Sequence, residues 1–110
     1  MGVPIDKYVT LQQLANELRK HLVDLIMQTT NLSMDTRVAL VKSLNVRVTN
    51  NNVVISSSLG EKFNVLNSGS ITFTKPFHWV EKAIDKSRVN FAPLINNILW
   101  GNIGEVKNVY

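Results

Sequence analysis

The strongest constraint in this chain is one apolar stripe near its start. Leu11, Leu14, Ala15, Leu18, Leu22, Leu25 and Ile26 recur at the spacing of a single helical face. Gln12, Asn16, Glu17, Arg19, Lys20 and Asp24 fall away from it. A helix with such a leucine face must lay it on something, either a sheet beneath or a neighbouring subunit. Thr10 followed by Gln13 is a capping-box pattern that starts the helix there and leaves residues 1–9 as a lead-in arm. The stripe gives way to polar and β-branched residues in Gln28-Thr29-Thr30-Asn31, where the helix ends.

Beyond that helix the pattern changes twice. Ser33-Met34-Asp35-Thr36 reads as a second helix start, with Ser33 or Asp35 capping a short helix through Lys42. From Leu44 the period drops to two: Leu44, Val46 and Val48 alternate with Asn45, Arg47 and Thr49. Asn50-Asn51-Asn52 tolerates the left-handed backbone of a tight turn, and Val53–Ser58 returns as the second strand of a hairpin. Leu59–Lys62 is a break, Phe63–Leu66 a short apolar piece of open type, and Asn67–Ser70 a loop. Ile71-Thr72-Phe73-Thr74 alternates and predicts a third strand. Lys75-Pro76 then opens a helix carrying Phe77, Val80 and Ile84 on one side. Asn90–Pro93 interrupts it, Leu94, Ile95, Ile98 and Leu99 add a helical turn or two, and Gly101 and Gly104 stop it. Residues 101–110 read as a tail ordered by a partner. The expected fold is α+β: an N-terminal amphipathic helix and a C-terminal helix packed on a small antiparallel sheet built around the hairpin. It forms a single domain over 1–110, with core 10–100.

Size and composition narrow the function. A chain of 110 residues buries about 65% of its unfolded surface, enough for a core without staples. With no cysteine, disulfides and thiolate zinc sites are ruled out. The longest apolar run, Val38–Val41, is far short of the roughly 20 residues of a membrane helix. The start lacks the basic and apolar regions of a signal peptide, and Asp6 stands where an N-myristoylation signal wants Ser or Thr. The net charge is +4 and the basic residues are scattered, with Glu81 and Asp85 set among Lys82, Lys86 and Arg88. That pattern reads as a solvated surface.

The chain holds two histidines, too few to support a catalytic constellation without orienting groups. His21 sits at the edge of the first helix's apolar face, and His78 precedes Glu81 by one turn and reads as a local ion pair. No His-x-x-x-His, acidic calcium loop, selected carboxylate pair or phosphate-binding glycine loop is present. We expect no enzyme, cofactor or metal. Lys75, Lys82, Lys86 and Arg88 near Phe77 and Trp79 raise the alternative of a small basic nucleic-acid-binding protein using the C-terminal helix. Phe77 shares a stripe with Val80 and Ile84, so core packing is the preferred reading. Trp100 either closes the core or anchors a subunit contact.

In the order of its elements the chain resembles the tail-completion, or head–tail joining, proteins of long-tailed bacteriophages. The resemblance rests on Ser33-Met34-Asp35-Thr36-Arg37 with Leu40 and Ser43, on the segment Lys62–Ser70, and on Lys75-Pro76-Phe77 with Ala83. Arg37 stands where the family has Gly, and Asn67 where it has an acid. The resemblance implies a non-enzymatic virion subunit at the head–tail junction, assembled in the host cytoplasm into a homo-oligomeric ring. Its partners would be connector and tail-tube proteins, with no membrane and no specific nucleic acid, although DNA passes through the ring. Contacts would come from the arm (Val3, Ile5), the hairpin turn (Asn51), the 62–70 segment (Phe63, Leu66), Trp100 and the tail (Val109, Tyr110).

Overall fold

The leucine stripe is buried within the chain itself. In the computed structural model, which describes residues 7–102 and 105–108, helix α1 spans Lys7–Met27. Leu11, Leu14, Leu18, Leu22 and Ile26 are all fully buried. They pack on the two hairpin strands and on the last long helix. Helix α1 starts before Thr10, so Lys7 to Val9 belong to it and not to an arm. Its end at Met27 falls where the stripe stops. The Arg37 guanidinium donates to the Met27 carbonyl, which satisfies an acceptor left open at the helix end.

Helix α2 runs Met34–Ser43. Ser33 is its cap: the Thr36 amide donates to Ser33 Oγ at 3.2 Å. Asp35 sits in the first turn, where its charge suits the helix dipole. Strands β1 (Leu44–Thr49) and β2 (Asn52–Ser57) form the expected hairpin. Asn50 and Asn51 have φ of 48° and 64°, and such paired left-handed residues give a turn whose twist matches the strands. β2 is central, so Val53, Val54 and Ile55 are buried, on both faces. At the hairpin's base Ser57 Oγ donates to Ser43 Oγ at 2.8 Å, and Ser43 Oγ to the Leu40 carbonyl at 2.6 Å. These two buried hydroxyls are thereby satisfied.

The second half departs from the sequence expectations. Helix α3 occupies Glu61–Ser68, so the break at 59–62 and the loop at 67–70 are both shorter than expected. Phe63 and Asn67 lie one turn apart on its buried side. Ile71–Thr74 forms no strand. The segment closes on itself, with the Ser70 amide donating to the Phe73 carbonyl at 2.9 Å. The next helix, α4 (Trp79–Phe91), starts three residues beyond Pro76. His78 has a left-handed backbone, φ 54° and ψ 41°, so the right-handed helix cannot run through it, and the Phe77 and His78 amides donate instead to the Leu66 and Asn67 carbonyls of α3. A 3₁₀ turn, Ala92–Asn97, follows. Ile98 and Leu99 then open strand β3 (Ile98–Asn102) and do not extend the helix. β3 pairs parallel with β2, which is sterically open because residues 58–97 provide the long crossover that parallel pairing demands. β4 (Glu105–Asn108) returns antiparallel to β3, so Gly101, Asn102 and Glu105–Asn108 are sheet and not tail. The fold is α+β as expected, but the sheet, ordered β1-β2-β3-β4, is mixed.

Candidate functional site

Residues 69–78 carry the chain from α3 to α4, and they are fastened at both ends. At the α3 end, Gly69 has φ 90° and ψ 174°, a region essentially reserved for glycine. Its amide donates to the Val65 carbonyl at 2.8 Å, closing the last turn of α3. A Cβ at Gly69 would lie 3.1 Å from the Phe73 carbonyl oxygen and 3.2 Å from Pro76 Cγ, so the two arms of the loop run against each other here. Phe73 N–H also donates to Ser70 Oγ at 3.0 Å.

At the α4 end the two helices cap each other. The Phe77 and His78 amides satisfy the last carbonyls of α3. In return Asn67, only 3% exposed, accepts from the Val80 amide at 2.9 Å through Oδ1. That amide is one of the donors a helix start leaves unpaired. His78, in the left-handed region, contributes no side-chain cap. Asn67 Nδ2 donates to Glu81 Oε1 at 3.2 Å, and the other Glu81 oxygen lies 3.0 Å from His78 Nδ1. The expected His78–Glu81 pair is therefore present, tied to α3 through Asn67.

An aromatic base sits under the loop. Phe77 stacks on Trp79 with ring centroids 5.0 Å apart, Phe73 approaches Phe77 at 5.8 Å, and Phe63 closes on Trp79 at 5.7 Å. Trp79 Nε1 donates to Thr29 Oγ1 at 3.0 Å, which anchors the stack to the end of α1. Above this base Ile71 is 98% exposed, the most exposed large apolar side chain among the described residues. Elsewhere, α2 and the start of α3 leave an open groove of about 210 Å³, lined by Asp35, Thr36, Ala39, Leu40, Leu59 and Lys62.

The interface candidates from the sequence scatter across this frame. Asn51 is exposed at the hairpin turn, and its carbonyl accepts from Asn97 Nδ2 at 3.0 Å. Phe63 is fully buried and Leu66 half-buried against the core, so this chain's own packing accounts for both. Trp100 lies in β3 opposite Ile55; its side chain is outside the described residues, as are Val3, Ile5, Val109 and Tyr110 altogether. His21 is half-buried, 3.8 Å from Glu17. The alternation at 71–74 pointed to a strand and Asn67 to a loop, so neither the exposure of Ile71 nor the burial of Asn67 was foreseen. The flanking Asn67-Ser68-Gly69 and Lys75-Pro76 carried the signal, since turn formers on both sides of so short a segment favour a loop.

Among the described residues no three His, Asp or Glu side chains gather to hold a metal ion, and no helix is long and apolar enough to cross a membrane. No protein-family model, curated protein or solved structure matches the chain.

Proposed function

We propose that this chain is a non-enzymatic structural subunit of a virus particle, a tail-completion or neck protein that joins the head connector to the tail tube as part of a ring. The observation that carries the reading is the fate of the residues on which the family resemblance rests. Gly69, Pro76 and Phe77 fold into one device, the fastened loop whose tip is Ile71, with Asn67, a departure from the family, at its base. Ser33, at the other segment, caps the helix that borders the groove. A stiff projection and an open apolar groove are parts suited to contact between subunits. The nucleic-acid alternative loses its stacking component in this fold. Trp79 is 2% exposed and one face of Phe77 is taken up by Trp79, which leaves the exposed Lys75, Lys82, Lys86 and Arg88 without those two rings.

The test is to mix the purified chain with phage head-connector and tail-tube particles, then read co-sedimentation and electron micrographs. Incorporation at the head–tail junction is the expected result. A chain that ignores both particles yet shifts DNA at low salt, with binding lost steeply as salt rises, overturns the assignment.

A further inference from the structure

We propose that copies of this chain join by strand addition, residues 2–6 of one copy pairing antiparallel with the free edge of β1 in the next. The inference rests on the reading of the chain as a self-assembling subunit, and it names the surfaces that meet.

β1 is an edge of the sheet, and its register fixes what that edge offers. Asn50 and Asn51 make a two-residue turn, so Thr49 and Asn52 are the hydrogen-bonded pair that closes it. Bonded and non-bonded pairs then alternate along the hairpin. Asn45, Arg47 and Thr49 bond to β2, while Val46 and Val48 turn their N–H and C=O groups outward. Among the described residues no hydrogen bond reaches those groups. The edge lacks the usual blocks to pairing: β1 holds no proline, and its six pairs with β2 run without a bulge. Val46 and Val48 lie on the face that α1 covers, yet they stay half-buried. A further strand would complete their cover.

Residues 1–6, Met-Gly-Val-Pro-Ile-Asp, lie outside the described residues, and their sequence matches this edge. With Val3 opposite Val48 and Ile5 opposite Val46, both apolar side chains extend the valine row on the covered face. Pro4 then falls opposite Arg47 with its missing N–H on the outer side, where a sheet tolerates proline. Asp6 falls opposite Asn45, diagonal to Arg47 and within reach of its long side chain. Asp6 is the only charged side chain in residues 1–6. Arg47 is exposed and without an ion pair among the described residues. By the strand registers it is also the only charged position on its face of the described sheet, since Glu105 and Lys107 fall on the other. The nearest charge before β1 in the chain, Lys42, is a further cation.

Two rival occupants fit less well. A second β1 that pairs both valines sets Arg47 directly against Arg47, and like charges so placed repel. The chain's own residues 2–6 run straight into Lys7 of α1, which lies in the layer above the sheet, so no residue remains to step down to its own edge. Residues 2–6 and β1 share no residue, so the contact is heterologous and closes a ring or grows a filament.

With no cysteine in the chain, single cysteines read the pairing directly. In this register Gly2 and Thr49 form a non-hydrogen-bonded pair with Cα atoms about 4.5 Å apart, inside the range a disulfide spans. A Gly2→Cys chain and a Thr49→Cys chain, mixed at high concentration under mild oxidation, should give the mixed disulfide in large excess over either homodimer. Asn52→Cys, one strand further in, should give little. A chain carrying both Gly2→Cys and Thr49→Cys should cross-link between chains. Ile5→Asp should weaken self-association of the full chain at least about tenfold in sedimentation equilibrium. Arg47→Asp should weaken it, and adding Asp6→Arg should restore it.

Self-association that persists in Ile5→Asp with no mixed disulfide overturns the strand addition and leaves the assembly reading standing. A Thr49→Cys homodimer in excess overturns it in favour of β1 pairing with β1. A two-cysteine chain that closes its disulfide within itself overturns it in favour of docking on its own edge. A chain monomeric at every concentration with no mixed disulfide also overturns it, and the neck reading then rests on the connector experiment alone. A mixed disulfide with no incorporation into phage particles establishes the contact and overturns the neck reading.

Discussion

Replacing Asn67 by alanine should cost about 2 kcal/mol of stability although the residue belongs to neither of the long helices. The estimate starts from its bond to the Val80 amide, 2.9 Å long. Val80 is 1% exposed, so water does not replace the lost acceptor. A buried donor left unpaired costs about 1–3 kcal/mol, and loss of a helix cap about 0.5–2 kcal/mol. These describe the same loss and are not added. The bond from Asn67 Nδ2 to Glu81 adds only a few tenths of a kcal/mol, since the Glu81 side chain is 37% exposed and its charge is screened. At about 2.1 cal/mol/K per residue, 110 residues make 2 kcal/mol worth roughly 9 °C in Tm.

The assay is urea unfolding followed by circular dichroism, with the slope unchanged so that the midpoint shift reads stability alone. Asn67→Asp separates the two halves of the interaction. It keeps the acceptor for Val80, in a position the α4 dipole favours, but loses the donor and faces Glu81 with a second carboxylate. It should fall between wild type and Asn67→Ala, and adding Glu81→Gln should restore most of the difference. A loss below about 0.5 kcal/mol for Asn67→Ala would refute the mutual capping of α3 and α4.

Three further substitutions probe the same frame. Thr29→Val keeps the shape but leaves Trp79 Nε1 without its partner at a 2% exposed residue; denaturant unfolding should show a loss of about 1–2 kcal/mol. Gly69→Ala meets both a forbidden backbone region and a 3.1 Å contact with the Phe73 carbonyl, so a loss of about 1–3 kcal/mol is expected, and a melt within a degree of wild type would contradict it. Ser87→Ala should do the opposite. The Ser87 hydroxyl is buried without a hydrogen-bond partner among the described residues, and its removal from a helix interior should raise stability by about 1 kcal/mol in the same assay.

The candidate site was the least legible part of the chain. Ile71 and Phe73 carry the same alternating signal, yet one ends in water and the other against Phe77. A period of two predicts a strand only if the segment reaches an edge to pair with; the second edge of β2 is taken by β3, and Ile71–Thr74 closes on itself in the α3–α4 loop. Asn67 read as a turn former because a buried asparagine announces itself only through its partners. Those partners, Val80 and Glu81, lie on another helix.

What the sequence determined by itself is whatever local chemistry suffices for. The leucine period makes α1 and its buried face, Ser33 starts α2, and the paired asparagines at Asn50 and Asn51 turn the hairpin. Each is settled by contacts a few residues apart. Tertiary structure alone decided the rest. Ile98–Asn102 became a strand because the open edge of β2 was there to pair with it. α4 began at Trp79 because His78, whose amide is held by α3, sits in the left-handed region. The backbone must place every buried donor and acceptor, and where the partner is distant in sequence no local pattern records the outcome.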